Sequence, residues 1–322
     1  MLTAYWWVGF SFQTSLVAPR GSGPSASTGR PGCGKLVDME FEPLHRNFGA
    51  RVNGIDLAGP LTGEEVAELH AAIDEYSVLL FPQQNMSDEA QMELTSALGE
   101  PEENHVTFGR TGEIIYIGTV GNVIDDDTKH DESATHTRSM KGNNLWHSDS
   151  SFRRVPSYVS ILHAYEVPGE GGATEFVSQR CAYDRLGSGT KAEINDLHVL
   201  HDYVFSRTKT APVHDNHAAS LPPIEQKLVR RNPRNGRRNY YAGAHARSIV
   251  GWNGIDSRRL IDELNDLATR PEYRWSQDWR PGDTLFWDNR CILHRGTGYD
   301  ADRYRRNMRQ TRVRGSGPTL DE

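Results

Sequence analysis

Asn143-Asn144-Leu145-Trp146-His147-Ser148-Asp149-Ser150-Ser151-Phe152 sets an imidazole and a carboxylate two residues apart. Side chains alternate along an extended strand, so His147 and Asp149 are expected on one face, where both can grip one metal ion. The chain holds 13 histidines, so a lone His-X-Asp is weak evidence and by itself reads as structural. A distant stretch sharpens it. Trp287-Asp288-Asn289-Arg290-Cys291-Ile292-Leu293-His294-Arg295-Gly296 presents another histidine in a strand-like run. Two histidines and one carboxylate leave a face of the metal open, which is the ligand set of non-haem Fe(II) oxygenases. Zinc hydrolases use a similar set, so the ligands do not choose the metal.

Two more stations lie around this pair. Arg305 follows His294 by eleven residues and can offer a bidentate fork to the carboxylate that 2-oxoglutarate leaves free when its keto acid end chelates iron. Gly171-Gly172-Ala173-Thr174-Glu175-Phe176 adds the Thr174 hydroxyl after a glycine turn. Along the strand-like run Tyr304 to Val313, alternation sets Arg305, Asn307 and Arg309 on one side and Arg306 and Met308 on the other. If Arg305 points inward, so does Arg309, and an inward guanidinium beside bound 2-oxoglutarate calls for a second anion. A salt bridge from Arg309 to a carboxylate of the fold is the plainer alternative.

The surroundings are those of a mainly β protein with flanking helices. Strand-like runs cover Glu113 to Val120, Tyr158 to Val167, Ala173 to Val177, Asn239 to Ala242, Thr284 to Trp287 and Tyr304 to Val313. Thr62 with Glu65, and Asp88 with Gln91, form capping-box patterns that predict two early helices, and a third is expected around Arg258 to Ala268. Asn235-Gly236 signals a tight hairpin, which explains the cluster Arg230, Arg231, Arg234, Arg237 and Arg238 as a solvated hairpin. Residues 1–38 turn Gly/Ser/Pro-rich and read as a flexible extension or an overextended start, followed by a catalytic domain over 39–314 and a tail over 315–322.

A net charge of −7 argues against a general nucleic-acid surface. Cys33, Cys181 and Cys291 lack CxxC spacing, so neither a disulfide framework nor a thiolate zinc site is suggested, and a cytoplasmic setting fits. No apolar run approaches the ~20 residues of a membrane span. The expected partner is a small molecule, with no nucleic acid or membrane; a homo-oligomer is left open.

These residues resemble the taurine dioxygenase and 2,4-dichlorophenoxyacetate dioxygenase family, the second branch more closely. The resemblance begins at Phe48-Gly49-Ala50-Arg51-Val52-Asn53-Gly54-Ile55-Asp56-Leu57 and runs to about Val313. Its most specific matches are Leu145 to Phe152, Gly243-Ala244-His245-Ala246 and Trp287 to Cys291. It implies a double-stranded β-helix, a cupin-like jelly roll with the metal at its mouth. It also implies Fe(II) held by His147, Asp149 and His294, with Thr174 and Arg305 anchoring 2-oxoglutarate, and O2 as the other co-substrate. The implied reaction hydroxylates a C–H bond of a small, anionic carboxylate, giving succinate and CO2, and cleaves an ether where the hydroxylated carbon bears one. A sulfonate dioxygenase or biosynthetic hydroxylase of the same family, or a zinc hydrolase or non-oxygenase cupin, would share parts of this set.

For the substrate the resemblance points to Arg309, His201, His105 and Trp287. Each has a plainer reading. A histidine in a loop is usually on the surface, the spacing at His105 does not match cleanly, and Trp287 is equally suited to core packing.

Overall fold

The computed structural model describes residues 39–104, 114–123, 128–133, 137, 141–210 and 219–322. The stretch 1–38 and His105 lie outside the described residues. The strands in chain order are β1 (Glu40–Pro43), β2 (Ala50–Asn53), β3 (Val78–Phe81), β4 (Gly118–Thr119), β5 (Ser157–Glu166), β6 (Thr174–Ser178), β7 (His198–His201) and β8 (Ile224–Lys227), then β9 (Val229–Arg231), β10 (Arg238–Tyr240), β11 (Ala246–Ile249), β12 (Trp275–Gln277), β13 (Thr284–Asp288), β14 (Ile292–Gly296) and β15 (Asn307–Arg314). The helices that lie wholly within the described residues are α1 (Gly63–Tyr76), α2 (Asp88–Leu98), α3 (Gln179–Asp184), α4 (Ser188–Ile194), α5 (Tyr203–Arg207) and α6 (Gly254–Ala268).

Seven strands form the large sheet in the order β1-β2-β3-β13-β5-β15-β4, and β12-β6-β14 forms a smaller sheet. Chain neighbours are mostly not sheet neighbours, the signature of a double-stranded β-helix rather than a meander. Alternation divides the large sheet into two faces. Val159, Ile161, Phe286 and Val313 pack toward the helices with Leu69 and Leu94, while Leu162, Ala164, Leu285 and Met308 pack with Phe176 and Ile292 of the smaller sheet. The second, inner layer is the one that ends at the functional site.

The helix starts follow from their caps. Thr62 accepts a hydrogen bond from the Glu65 amide at 3.2 Å and the Glu65 carboxylate accepts one from the Thr62 amide at 2.7 Å, a complete capping box. In α2 the cap is Ser87, whose Oγ accepts from the Ala90 amide, rather than Asp88. Asp88 sits in the first turn, where its charge suits the helix dipole. Gln91, expected to complete that box, is instead buried and donates to the carbonyls of Ile161 and Arg309 at 3.2 and 3.0 Å, tying α2 to the sheet.

Asn235-Gly236 does lie in a hairpin, with Arg231 opposite Arg238. The loop is longer than a two-residue turn, because that turn needs left-handed backbone at both positions and only Gly236 has it, at φ +71. The arginines of this hairpin divide. Arg231, Arg234 and Arg238 are exposed as expected, whereas Arg230 is 5 % exposed and forked onto Glu322, 3.1 Å from Nε and 2.5 Å from a terminal nitrogen. The tail is therefore docked. Thr319 is fully buried and accepts from the Lys227 amide at 3.1 Å. No helix among the described residues is long and apolar enough to cross a membrane.

Candidate metal centre and cavity

The residue pair that opens the site is not on a strand. His147 follows a turn of 3-10 helix, Lys141–Asn144, and meets His294 of β14 through an isolated bridge: each amide donates to the other's carbonyl, at 3.0 and 2.9 Å. Asp149 lies in the turn that follows, just before Ser150 at φ +52, and its amide donates to Asn289 Oδ1 at 3.1 Å. The expected strand alternation at His147 and Asp149 is thus replaced by a turn with the same result. One ligand atom from each of His147, Asp149 and His294 lies within 4.8 Å of the other two.

The orientation of these groups suits a cation. His147 Nδ1 donates to the Leu145 carbonyl at 2.7 Å, which leaves Nε2 with its lone pair toward the site. Asp149 Oδ1 stands 3.7 Å from His147 Nε2 and 3.9 Å from His294 Nε2, too far for hydrogen bonds. Burial pushes the His147 imidazole down to about 3, the neighbouring His294 adding to the effect, and burial likewise lowers His294. Burial opposes ionisation of Asp149, while the Arg312 guanidinium and the Ser160 hydroxyl that donates to its Oδ2 favour the carboxylate. Two neutral imidazoles and a carboxylate are the protonation states a divalent metal needs.

The three ligands open onto a cavity of about 890 Å³, solvent at its mouth included, which is also lined by Thr174, Trp287, Arg306, Gln310 and Lys141. Trp287 is 1 % exposed, its ring centroid 4.6 Å from that of His294 and its indole N–H donated to Asn289 Oδ1. It packs in the core and also borders the site. Thr174 accepts from the Trp279 indole at 2.9 Å, leaving its own hydroxyl hydrogen to donate.

The arginine expectation is off by one residue. Arg305 is outside the cavity and forks onto Glu166, with Nε at 2.7 Å. Arg306 is the cavity residue: it is 7 % exposed, anchored through its amide to Asn122 Oδ1 at 2.8 Å and through one terminal nitrogen to the Val120 carbonyl at 3.2 Å. Its buried Nε has no hydrogen-bond partner among the described residues, and burial lowers its pKa to about 10. A buried guanidinium at a cavity wall has the charge and fork geometry that suit a carboxylate. The expected alternation holds with the opposite parity: Arg306 and Gln310 line the cavity, Met308 packs in the inner layer and Arg312 is buried on Glu102, while Arg305, Arg309 and Thr311 meet Glu166, Asp88 and Thr95 on the other side. Arg309 accordingly lies 3.5 Å from Asp88 and over the Tyr165 ring, outside the cavity.

His201 is also not in the cavity. It is fully buried, with Nδ1 2.9 Å from Ser151 Oγ and Nε2 3.3 Å from the Tyr241 carbonyl. Besides Arg306, the residues at the site that sequence reasoning missed include Gln310, Ser160, Asn289 and Lys141. Parity from a correctly oriented Arg306 would have found Gln310; no local signal marks the others.

The model of the taurine catabolism dioxygenase TauD, TfdA family matches residues 40–312. The chain is 35% identical to the alpha-ketoglutarate-dependent 2,4-dichlorophenoxyacetate dioxygenase of Cupriavidus pinatubonensis over 280 residues, 85% of this chain and 98% of that protein. It is 32% identical to the (S)-phenoxypropionate/alpha-ketoglutarate-dioxygenase of Sphingobium herbicidovorans, covering 86% of this chain and 95% of that one. The crystal structure of AAD-2 in complex with Mn(II) and N-oxalylglycine superposes with a TM-score of 0.80 at 35% identity, over 88% of this chain and 100% of that chain. With a His-Asp-His cluster and a buried arginine facing one cavity inside a jelly roll, the chain belongs to the taurine catabolism dioxygenase TauD, TfdA family.

Proposed function

We propose that this protein is an Fe(II)- and 2-oxoglutarate-dependent dioxygenase that hydroxylates a small carboxylate of the aryloxyalkanoate class. The observation that carries the reading is the buried Arg306 in the same cavity as the two neutral imidazoles and Asp149. N-Oxalylglycine differs from 2-oxoglutarate by an N–H in place of a CH2, so the ligand of the AAD-2 structure supports the same co-substrate here.

His147, Asp149 and His294 would hold the metal, and Arg306 with the Thr174 hydroxyl would hold the distal carboxylate of 2-oxoglutarate. Bound Fe(II), with 2-oxoglutarate and O2, supplies the oxidation: one oxygen atom enters a substrate C–H bond, the other leaves in succinate, and CO2 is released. This chain's own part is to bind, orient and keep water out. Trp287 and Leu162 give the cavity apolar wall for an aryl group. If the hydroxylated carbon carries an ether oxygen, the hemiacetal collapses to a phenol and a carbonyl acid.

The substrate's own carboxylate needs a cation besides Arg306. Lys141 lines the cavity, and its 2.7 Å ion pair with Glu132 is solvent-exposed on the lysine side at 52 %. Such pairs are worth at most ~1 kcal/mol, so exchanging Glu132 for a substrate carboxylate costs little. We assign the acid end of the substrate to Lys141.

Succinate release should be stimulated by phenoxyacetate or 2-phenoxypropionate and not by the corresponding neutral amide, and Lys141→Met should raise KM for the acid. Stimulation by taurine or an alkyl sulfate, with none by aryloxy acids, would replace this substrate class by the sulfonate or sulfate-ester one. Anaerobic addition of Fe(II) and 2-oxoglutarate should give a weak visible absorption band.

A further inference from the structure

We infer that Gln310 is a positioning residue for the metal's carboxylate ligand, the inner end of a rod of buried side chains that starts at Glu102. The inference rests on reading His147, Asp149 and His294 as the metal centre.

Gln310 lines the cavity, so a substrate-contact role is its simplest reading. Its hydrogen bonds say otherwise, because both ends of the amide are taken. Nε2 donates to Asp149 Oδ2 at 2.8 Å and Oε1 accepts from Arg312 at 3.1 Å. The neighbours force this orientation: a guanidinium can only donate and a carboxylate can only accept, so the amide has one way to satisfy both.

Arg312 is itself fixed. It is 5 % exposed and its Nε donates to Glu102 Oε1 at 3.1 Å, while Glu102 is 2 % exposed. Glu102 also accepts from Ser150 Oγ at 2.5 Å and Ser157 Oγ at 2.6 Å. Ser150 is the residue after Asp149, in the turn with left-handed backbone. One buried carboxylate thus grips the turn that carries Asp149 and, through Arg312, the strand that carries Gln310.

The effect on Asp149 is asymmetric. Oδ2 accepts from both Gln310 and Ser160, the latter at 2.6 Å and held in turn by Asn289 Nδ2 at 2.8 Å. Oδ1 alone is left facing the two imidazoles. A carboxylate pinned in this way would offer a bound metal one oxygen rather than two and leave room for a chelating keto acid. Without Gln310 the carboxylate can rotate and its second oxygen loses a donor.

Mn(II) binding to the full-length metal-free protein, measured by electron paramagnetic resonance without any turnover, tests this. Gln310→Met keeps the shape of the side chain and removes both hydrogen bonds. It should weaken Mn(II) binding about tenfold or more, the usual effect of losing a partner behind a metal ligand. Ser160→Ala should weaken it too, and the double variant should fall short of the product of the two, because both donors serve the same oxygen. Gln310→Leu decides the matter if Gln310→Met does not fold. Wild-type Mn(II) affinity in the folded Gln310 variant, with only substrate KM changed, would make Gln310 a cavity-wall residue and overturn the inference. Failure of the wild-type protein to bind Mn(II) would instead remove the metal centre proposed above.

Discussion

At the scale of single residues, Arg305 and Arg306 decide between two otherwise equal readings. Both are arginines in one extended run, and sequence spacing cannot tell them apart because parity depends on where the strand begins and on the bulge between Asn307 and Met308. Glu166 meets Arg305 outside, and the cavity receives Arg306. Arg306→Gln should therefore raise the 2-oxoglutarate requirement by roughly 30-fold or more, the equivalent of about 2 kcal/mol for a charge-assisted pair. Arg305→Gln, which breaks only a partly exposed ion pair, should leave it within about twofold. A titration of 2-oxoglutarate against succinate release checks both, and reversed effects would restore Arg305 as the anchor. By contrast His147, Asp149 and His294 were legible because ligand chemistry restricts residue type so strongly that two short stretches suffice. Asn289 and Ser160 were not, since an Asn or a Ser that supports a ligand looks like any other.

At the scale of elements, what sequence shows best is what local chemistry decides. The Thr62 and Glu65 box closes as read, and its hydrogen bonds are short and mutual. Thr62→Ala should cost about 1 kcal/mol of stability and Thr62→Ser much less, as measured by urea unfolding. Equal losses for the two would mean that the hydroxyl is not the cap. The hairpin at Asn235-Gly236 was legible in place and not in loop length, and β3 was missed altogether. Val78-Leu79-Leu80-Phe81 is buried on both faces, between β2 and β13, so it shows no alternation and is too short to distinguish from the end of the preceding helix. Gln91 was misread as a cap because its actual partners, the Ile161 and Arg309 carbonyls, are 70 and 218 residues away. Local patterns carry no trace of such contacts.

For the whole molecule, burial keeps several imidazoles outside the cavity neutral, and this sets how the protein responds to acid. His201 is driven by burial down to about 3, His163 by burial to about 4, and His245 well below the ordinary value by burial with Arg207 nearby. None of the three lines the cavity, although His245 packs edge-on against His147 with ring centroids 6.0 Å apart. Each has a folded-state pKa below its unfolded value of about 6.5, so as pH falls through 6.5 the unfolded chain takes up protons that the folded chain refuses, and stability drops. The loss continues until the folded pKa is reached. Over the interval from pH 6.5 to 5, one such group costs about 2 kcal/mol. His201 isolates the effect: its ring stacks on Tyr241, which lies under the Arg230 guanidinium that Glu322 pairs, so the docked tail and the buried imidazole share one packed unit. His201→Gln offers an amide in place of the imidazole and cannot titrate. The unfolding free energy of the metal-free protein, from urea titrations at pH 7.5 and pH 5.0, should therefore fall by about 2 kcal/mol less in His201→Gln than in the wild type, whatever the variant costs at neutral pH. The same fall in both proteins would mean that folded His201 accepts a proton above pH 5, and that burial does not hold this imidazole neutral.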